Sequence, residues 1–249
     1  MDSNITRVCA IAALCVCIAF GIGKNMETIK EKTDGPEYFG RRQATVKDGV
    51  LTPELMLDLG RLSDPQISPD GSRILYGVSY TSVGRNRSCR NLFICNADGS
   101  SNVQLTYDGK GIDNARWSRD GKHIYMLIEG QVYKAALSGD ELGRKYKVSN
   151  VSGGISEFKL SPDGSMIMYI STVPGPVKGP SDTEPDLDKA KAYVAEDLMY
   201  RHWDHWVTET PHTFIAALDR KEFTKAGSTD LLAGEPYELP TEPFGGLEQ

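Results

Sequence analysis

The chain has 249 residues, 39% hydrophobic and 25% charged, with a formal net charge of −6. That composition excludes a disordered chain and one embedded in a membrane throughout. With 34 acidic against 28 basic residues there is no basic footprint, which argues against nucleic acid as a partner.

The N-terminus reads as a targeting segment. Arg7 precedes an apolar run from Val8 to Ile22, and Ala19, Gly21 and Gly23 supply small residues for cleavage. This order predicts a secretory signal over residues 1–23, and hence an exported protein of the periplasm or cell surface. The run is short for a membrane span, so no stable span is expected after cleavage; an uncleaved anchor is the alternative. Three of the five cysteines lie in this segment. The other two, Cys89 and Cys95, would stand about 20 Å apart in one extended strand, beyond disulfide reach. The reading favours two unpaired or buried thiols, the alternative being a bend near Asn86 to Cys89 that brings them together. Residues 24–50 are charged and without sustained period, a tether. Thr52-Pro53-Glu54 then has the order of a helix start, with Thr52 as N-cap and Pro53 at the first helical position.

Next comes a phrase written three times. Ile67-Ser68-Pro69-Asp70-Gly71 returns as Trp117-Ser118-Arg119-Asp120-Gly121 and as Leu160-Ser161-Pro162-Asp163-Gly164, each followed by an apolar run. Asp-Gly between two such runs is a hairpin signal. A second hairpin follows each phrase, through Leu92–Gly99, Val132–Gly139 and Thr213–Asp219. Each unit is thus four strands, and a period of roughly 40–50 residues is that of propeller blades. The expected fold is all-β: an incomplete β-propeller of about three four-stranded blades over residues 51–249, the blades near 62–107, 112–149 and 155–232.

The third blade carries an insertion, residues 174–211. Pro174-Gly175-Pro176 and Gly179-Pro180 are loop chemistry. Leu187, Ala190, Val194, Leu198 and Met199 recur near helical spacing, predicting a helix over 186–200. It runs into His202-Trp203-Asp204-His205-Trp206, with Glu209 beyond. Insertions of a repeat tend to project from one face, often the binding face.

Three readings of this cluster stand side by side. His202 and His205 with Asp204 could be a metal group, but the spacing lacks the i, i+4 histidines of a zinc helix. Trp203 and Trp206 could pack the insertion onto its blade, with His202 and Asp204 satisfying buried polar groups. Or Asp204 or Glu209 could meet a cationic group beside aromatic walls. The candidate substrate-binding residues are therefore Glu209, Asp204, Trp203, Trp206 and His202. No G-x-S-x-G elbow, Walker loop or H-E-x-x-H is present, so no catalytic, cofactor or metal residue is assigned.

Several of these segments together resemble a known family. They are Leu51-Thr52-Pro53-Glu54, the three blade phrases, Asp186-Leu187-Asp188-Lys189-Ala190, Asp197-Leu198-Met199-Tyr200-Arg201-His202-Trp203-Asp204 and Gly234-Glu235-Pro236-Tyr237-Glu238. They are similar to the N-terminal propeller of secreted bacterial serine dipeptidyl-peptidases of the prolyl oligopeptidase family, dipeptidyl-peptidase V type. The blade phrase is also shared with TolB-like propellers. The resemblance implies a propeller that caps a C-terminal α/β-hydrolase domain, restricts access, and pairs an acidic residue with the substrate's amino group. Glu209 and Asp204 are candidates for that role. The expectation is a fragment without its hydrolase domain, inactive alone, whose partners are that domain and, through the parent enzyme, a peptide. The alternative class is a TolB-like exported propeller acting as a binding module.

Overall fold

The computed structural model describes residues 40, 46, 48–107, 109–138, 144–175, 177–187, 189–190, 192–195, 201–202, 205–219 and 222–235. The expected signal segment lies outside them, as does nearly all of the tether. The chain divides into two compact units, 1–129 with 133–146, and 130–132 with 147–249.

The first unit opens on helix α1, Pro53–Asp58, where the Thr52 side chain accepts the Leu55 N–H at 3.2 Å. Four antiparallel strands follow in sequence order: β1 (Arg61–Ile67), β2 (Arg73–Ser82), β3 (Arg87–Asn96) and β4 (Val103–Gln104). A second four-stranded sheet takes β5 (Ala115–Trp117), β6 (His123–Ile128), β7 (Gln131–Ala136) and β8 (Lys145–Lys147), again in order. Alternation along β2 decides what each face buries. Leu75 points with Leu92 of β3 into a core shared with Ile112 of the connecting loop and with Trp117, Ile124, Met126 and Ala135 of the second sheet. Ile74, Tyr76 and Val78 point the other way and pack with Cys95, Phe93 and Leu62. Cys89 and Cys95 are both buried and unbridged, in keeping with their separation along β3.

The turn phrase has the same geometry in all three copies. The serine hydroxyl donates to the aspartate two residues on, at 2.5–2.6 Å, and accepts the amide five residues on, at 2.9–3.0 Å. Glycines 71, 121 and 164 sit at φ of 75°, 65° and 75°, where a side chain would be strained. Sequence therefore fixes the hairpin at both ends of the turn.

Between the sheets of the first unit runs an ionic clasp. A bulge in β1 puts Asp64 at φ 49° and shifts the register between Ser63 and Gln66. Its carboxylate meets Arg116 at 2.9 Å and Arg90 at 3.6 Å. Arg90 is largely buried and also bonds Ser63 and the carbonyls of Ile112 and Asp113. Burial pulls its pKa down, while Asp64 pushes back up.

The second unit holds a third antiparallel sheet, ordered β10 (Glu157–Leu160), β11 (Met166–Pro174), β14 (Glu209–Ala217), β16 (Thr229–Asp230). Tyr169 of β11 stacks on Phe214 of β14 and lies against Phe223. Burial raises the Tyr169 pKa, and its hydroxyl donates to Ser228 at 2.8 Å. A short parallel pair, β9 (Ser149–Asn150) with β15 (Phe223–Thr224), completes the unit, and nothing in the local sequence announces it.

Two expectations for the insertion need correction. The insertion is not mainly helical among the described residues: it holds α2, Pro180–Thr183, and a 3-10 turn at Pro185–Leu187. The helix expected over 186–200 does not form at residues 189, 190 and 192–195. Val194 instead bridges Lys178 through bonds of 3.1 and 2.8 Å. The spacing of Leu187 and Val194 marks no buried stripe, since they remain 47% and 45% exposed. Without an apolar face to bury, a helix of this length is marginal.

Candidate functional site

The insertion leaves the third sheet between β11 and β14, whose ladder runs from Met166 opposite Ala217 to Pro174 opposite Glu209. Its base is tightly drawn. The Gly175 N–H donates to the Thr208 carbonyl at 2.8 Å. A Cβ at Gly175 would stand 2.7 Å from the Val207 carbonyl oxygen and 3.0 Å from the Glu209 nitrogen, so only glycine lets the backbones approach this closely. Val177 and Val207 are buried beside that crossing.

Glu209 is the first residue of β14 and its side chain is exposed. The Thr172 hydroxyl donates to its Oε2 at 2.8 Å. Thr172 lies opposite Pro211, so the bond runs diagonally across the ladder. On its other side, the Thr172 carbonyl accepts from Lys225 Nζ at 2.6 Å. Lys225 also lies 5.8 Å from the Phe214 ring centroid.

Farther out, a two-residue ladder forms the hairpin β12 (Arg201–His202) and β13 (His205–Trp206). Arg201 stands opposite Trp206, its guanidinium 5.5 Å from the indole centroid. Tyr193 stacks on the same indole at 4.9 Å, and Trp206 keeps 38% of its surface exposed. Trp206 is thus an exposed aromatic already engaged by an arginine and a tyrosine.

Of the five candidate residues, Glu209 and Trp206 are placed with their side chains. His202 is placed by its backbone, opposite His205. Trp203, Asp204 and the His202 side chain lie outside the described residues. Among the described residues no group of three or more His, Cys, Asp or Glu converges as a metal would require. Sequence reading missed Thr172 and Arg201, which gain their neighbours through strand pairing, and Tyr193, which meets Trp206 by stacking across the insertion. It also missed His212. This histidine of β14 is buried, with Nδ1 2.9 and 3.2 Å from the two carboxylate oxygens of Asp230, and so ties β14 to β16.

The arrangement offers an exposed carboxylate oriented by a threonine hydroxyl at the base of the insertion. That chemistry suits a small cationic group, through charge pairing and charge-assisted hydrogen bonds. Among the described residues it shows no nucleophile–base pair of the kind acyl transfer needs.

Comparison with known proteins gives this geometry a setting. No family model matches the chain. Dipeptidyl-peptidase 5 of Porphyromonas gingivalis is 38% identical over 199 residues, 80% of this chain. Dipeptidyl-peptidase 5 of Porphyromonas endodontalis is 36% identical over 203 residues, 81% of this chain. The chain spans 29% of the length of each. Among solved structures, acylaminoacyl peptidase of Pyrococcus horikoshii is similar at a TM-score of 0.49 and 16% identity, covering 66% of this chain and 24% of that one. TolB of Acinetobacter baumannii is similar at 0.42 and 16%, covering 67% and 31%. Across about four-fifths of its length the chain is thus homologous to dipeptidyl-peptidase 5.

Proposed function

We propose that this chain is the non-catalytic propeller portion of an exported serine dipeptidyl-peptidase, and that its insertion receives the free amino terminus of a peptide. The observation that carries the reading is the 38% identity to a dipeptidyl-peptidase 5 across four-fifths of the chain. Such an enzyme counts two residues from an amino terminus, which calls for a carboxylate fixed away from the reacting bond. Glu209 has the exposure and the orientation for that role, and Asp204 is the second candidate. No residue here is assigned to bond cleavage, so the chain alone is inactive.

The test is a chimaera in which this chain replaces the matching segment of the Porphyromonas gingivalis enzyme. It is assayed on alanyl-alanyl p-nitroanilide beside the isolated chain. Glu209→Gln should raise KM more than it lowers kcat, because an amine contact acts in ground and transition states alike. The loss should be about 1.5–3 kcal/mol, the range for a hydrogen bond to a charged group. Asp204→Asn tests the second candidate in the same way. Unchanged kinetics in both variants would reduce the insertion to packing. Turnover by the isolated chain that a serine-directed phosphonate blocks, and that survives repurification, would overturn the non-catalytic reading.

A further inference from the structure

Among the described residues, the Glu209 carboxylate is held by Thr172. Thr172 Oγ1 donates to Glu209 Oε2 at 2.8 Å. Two features give that hydroxyl a fixed direction. Threonine is β-branched, so few χ1 rotamers are open to it in a strand. Its backbone is also anchored beyond the end of the neighbouring strand. The β10 ladder stops where Glu157 meets Ile170, and past it Lys225 Nζ donates to the Thr172 carbonyl at 2.6 Å. Glycine at 175 then lets the outgoing chain press close to the Glu209 nitrogen, which fixes the other end of the glutamate.

We propose that Thr172 is a positioning residue for Glu209, its hydroxyl aiming the carboxylate at the substrate's ammonium group. This rests on the amino-terminus reading above. A carboxylate has two oxygens and about four acceptor sites; Thr172 takes one of them and leaves capacity for an ammonium. Orientation set before binding spares the substrate the cost of ordering a glutamate with three rotatable bonds. Thr172 makes no contact with the peptide in this scheme. It acts through the glutamate alone.

The experiment uses the same chimaera and the same p-nitroanilide. Thr172→Val keeps the branched shape and removes the donor. KM should rise about 3–10-fold with kcat little changed, less than the full loss of a charged hydrogen bond because the site is exposed. Thr172→Ser restores the donor without the branch and should return KM most of the way to the parent value. Thr172→Ala should behave as the valine does, which keeps the test intact if one variant folds poorly by near-ultraviolet circular dichroism. In a Glu209→Gln background, Thr172→Val should add nothing, since the two residues act as one unit. Three results overturn the inference. If Glu209→Gln raises KM and Thr172→Val does not, the positioning role fails while the anchoring role stands. If Thr172→Val raises KM equally in both backgrounds, the hydroxyl acts elsewhere. If Glu209→Gln itself leaves KM unchanged, the anchoring role fails and takes the inference with it.

Discussion

Ser68 makes two hydrogen bonds at once, and Asp70 records the result. The Ser68 hydroxyl is the largest influence on the Asp70 carboxyl, followed by the amide and hydroxyl of Ser72; together they lower its pKa from 3.8 to about 2. Asp163 is held at about 2 in the same way by Ser161 and Ser165. A depressed folded-state value means that the turn's carboxylate stabilises the fold above the ordinary carboxylate range. That contribution fades as pH falls towards about 2. Carboxyl titration followed by NMR should therefore place both midpoints near 2. Ser68→Ala should raise the Asp70 midpoint towards 3.8, and by more than Ser72→Ala does. The reverse order would assign the shift to the Ser72 donors. These turns were fully legible in the sequence, because Ser, Asp and Gly close them within six residues and no distant partner is needed.

The strands were legible for a related reason: their alternating apolar residues and Asp-Gly turns are local. The insertion was less so. Its helical spacing at Leu187 and Val194 was real as a pattern, but those residues bury little, and Val194 pairs with Lys178 instead. The useful part of the site, Thr172 beside Glu209, joins residues 37 positions apart. Only the ladder register shows that contact. Gly175 is the element-level hinge of the arrangement. Its φ is not in the left-handed region, so Gly175→Ala tests contact alone. The added methyl meets backbone atoms at 2.7 and 3.0 Å, which cannot swing aside. Overpacking of this kind should lower stability by about 1–3 kcal/mol in urea titration. Gly84→Ala, with nothing within 4 Å of its added methyl, is the control and should change little. Equal stability of the two variants would show that the crossing relaxes freely.

At the scale of the molecule, the chain forms two compact units and spans 29% of the relatives it matches. Its proposed export is checked by intact mass: protein recovered from the cell envelope should lack roughly the first 20–25 residues. A mass that retains Met1 to Gly23 would instead favour an anchor. Among the described residues no helix is long and apolar enough to cross a membrane. Pro174 and Glu209 are ladder neighbours, so the two ends of the insertion leave the sheet about one strand spacing apart. The segment between them is a cassette with a closed base. Lengthening a flexible loop costs only about 0.6 kcal/mol per doubling, and shortening it returns as little. Chain inserted between Val177 and Val207 can accordingly change in length while the base at Gly175 and Thr208 stays shut. Glu209 sits on the seam of that graft, which lets the carboxylate stay constant while whatever surrounds it diverges.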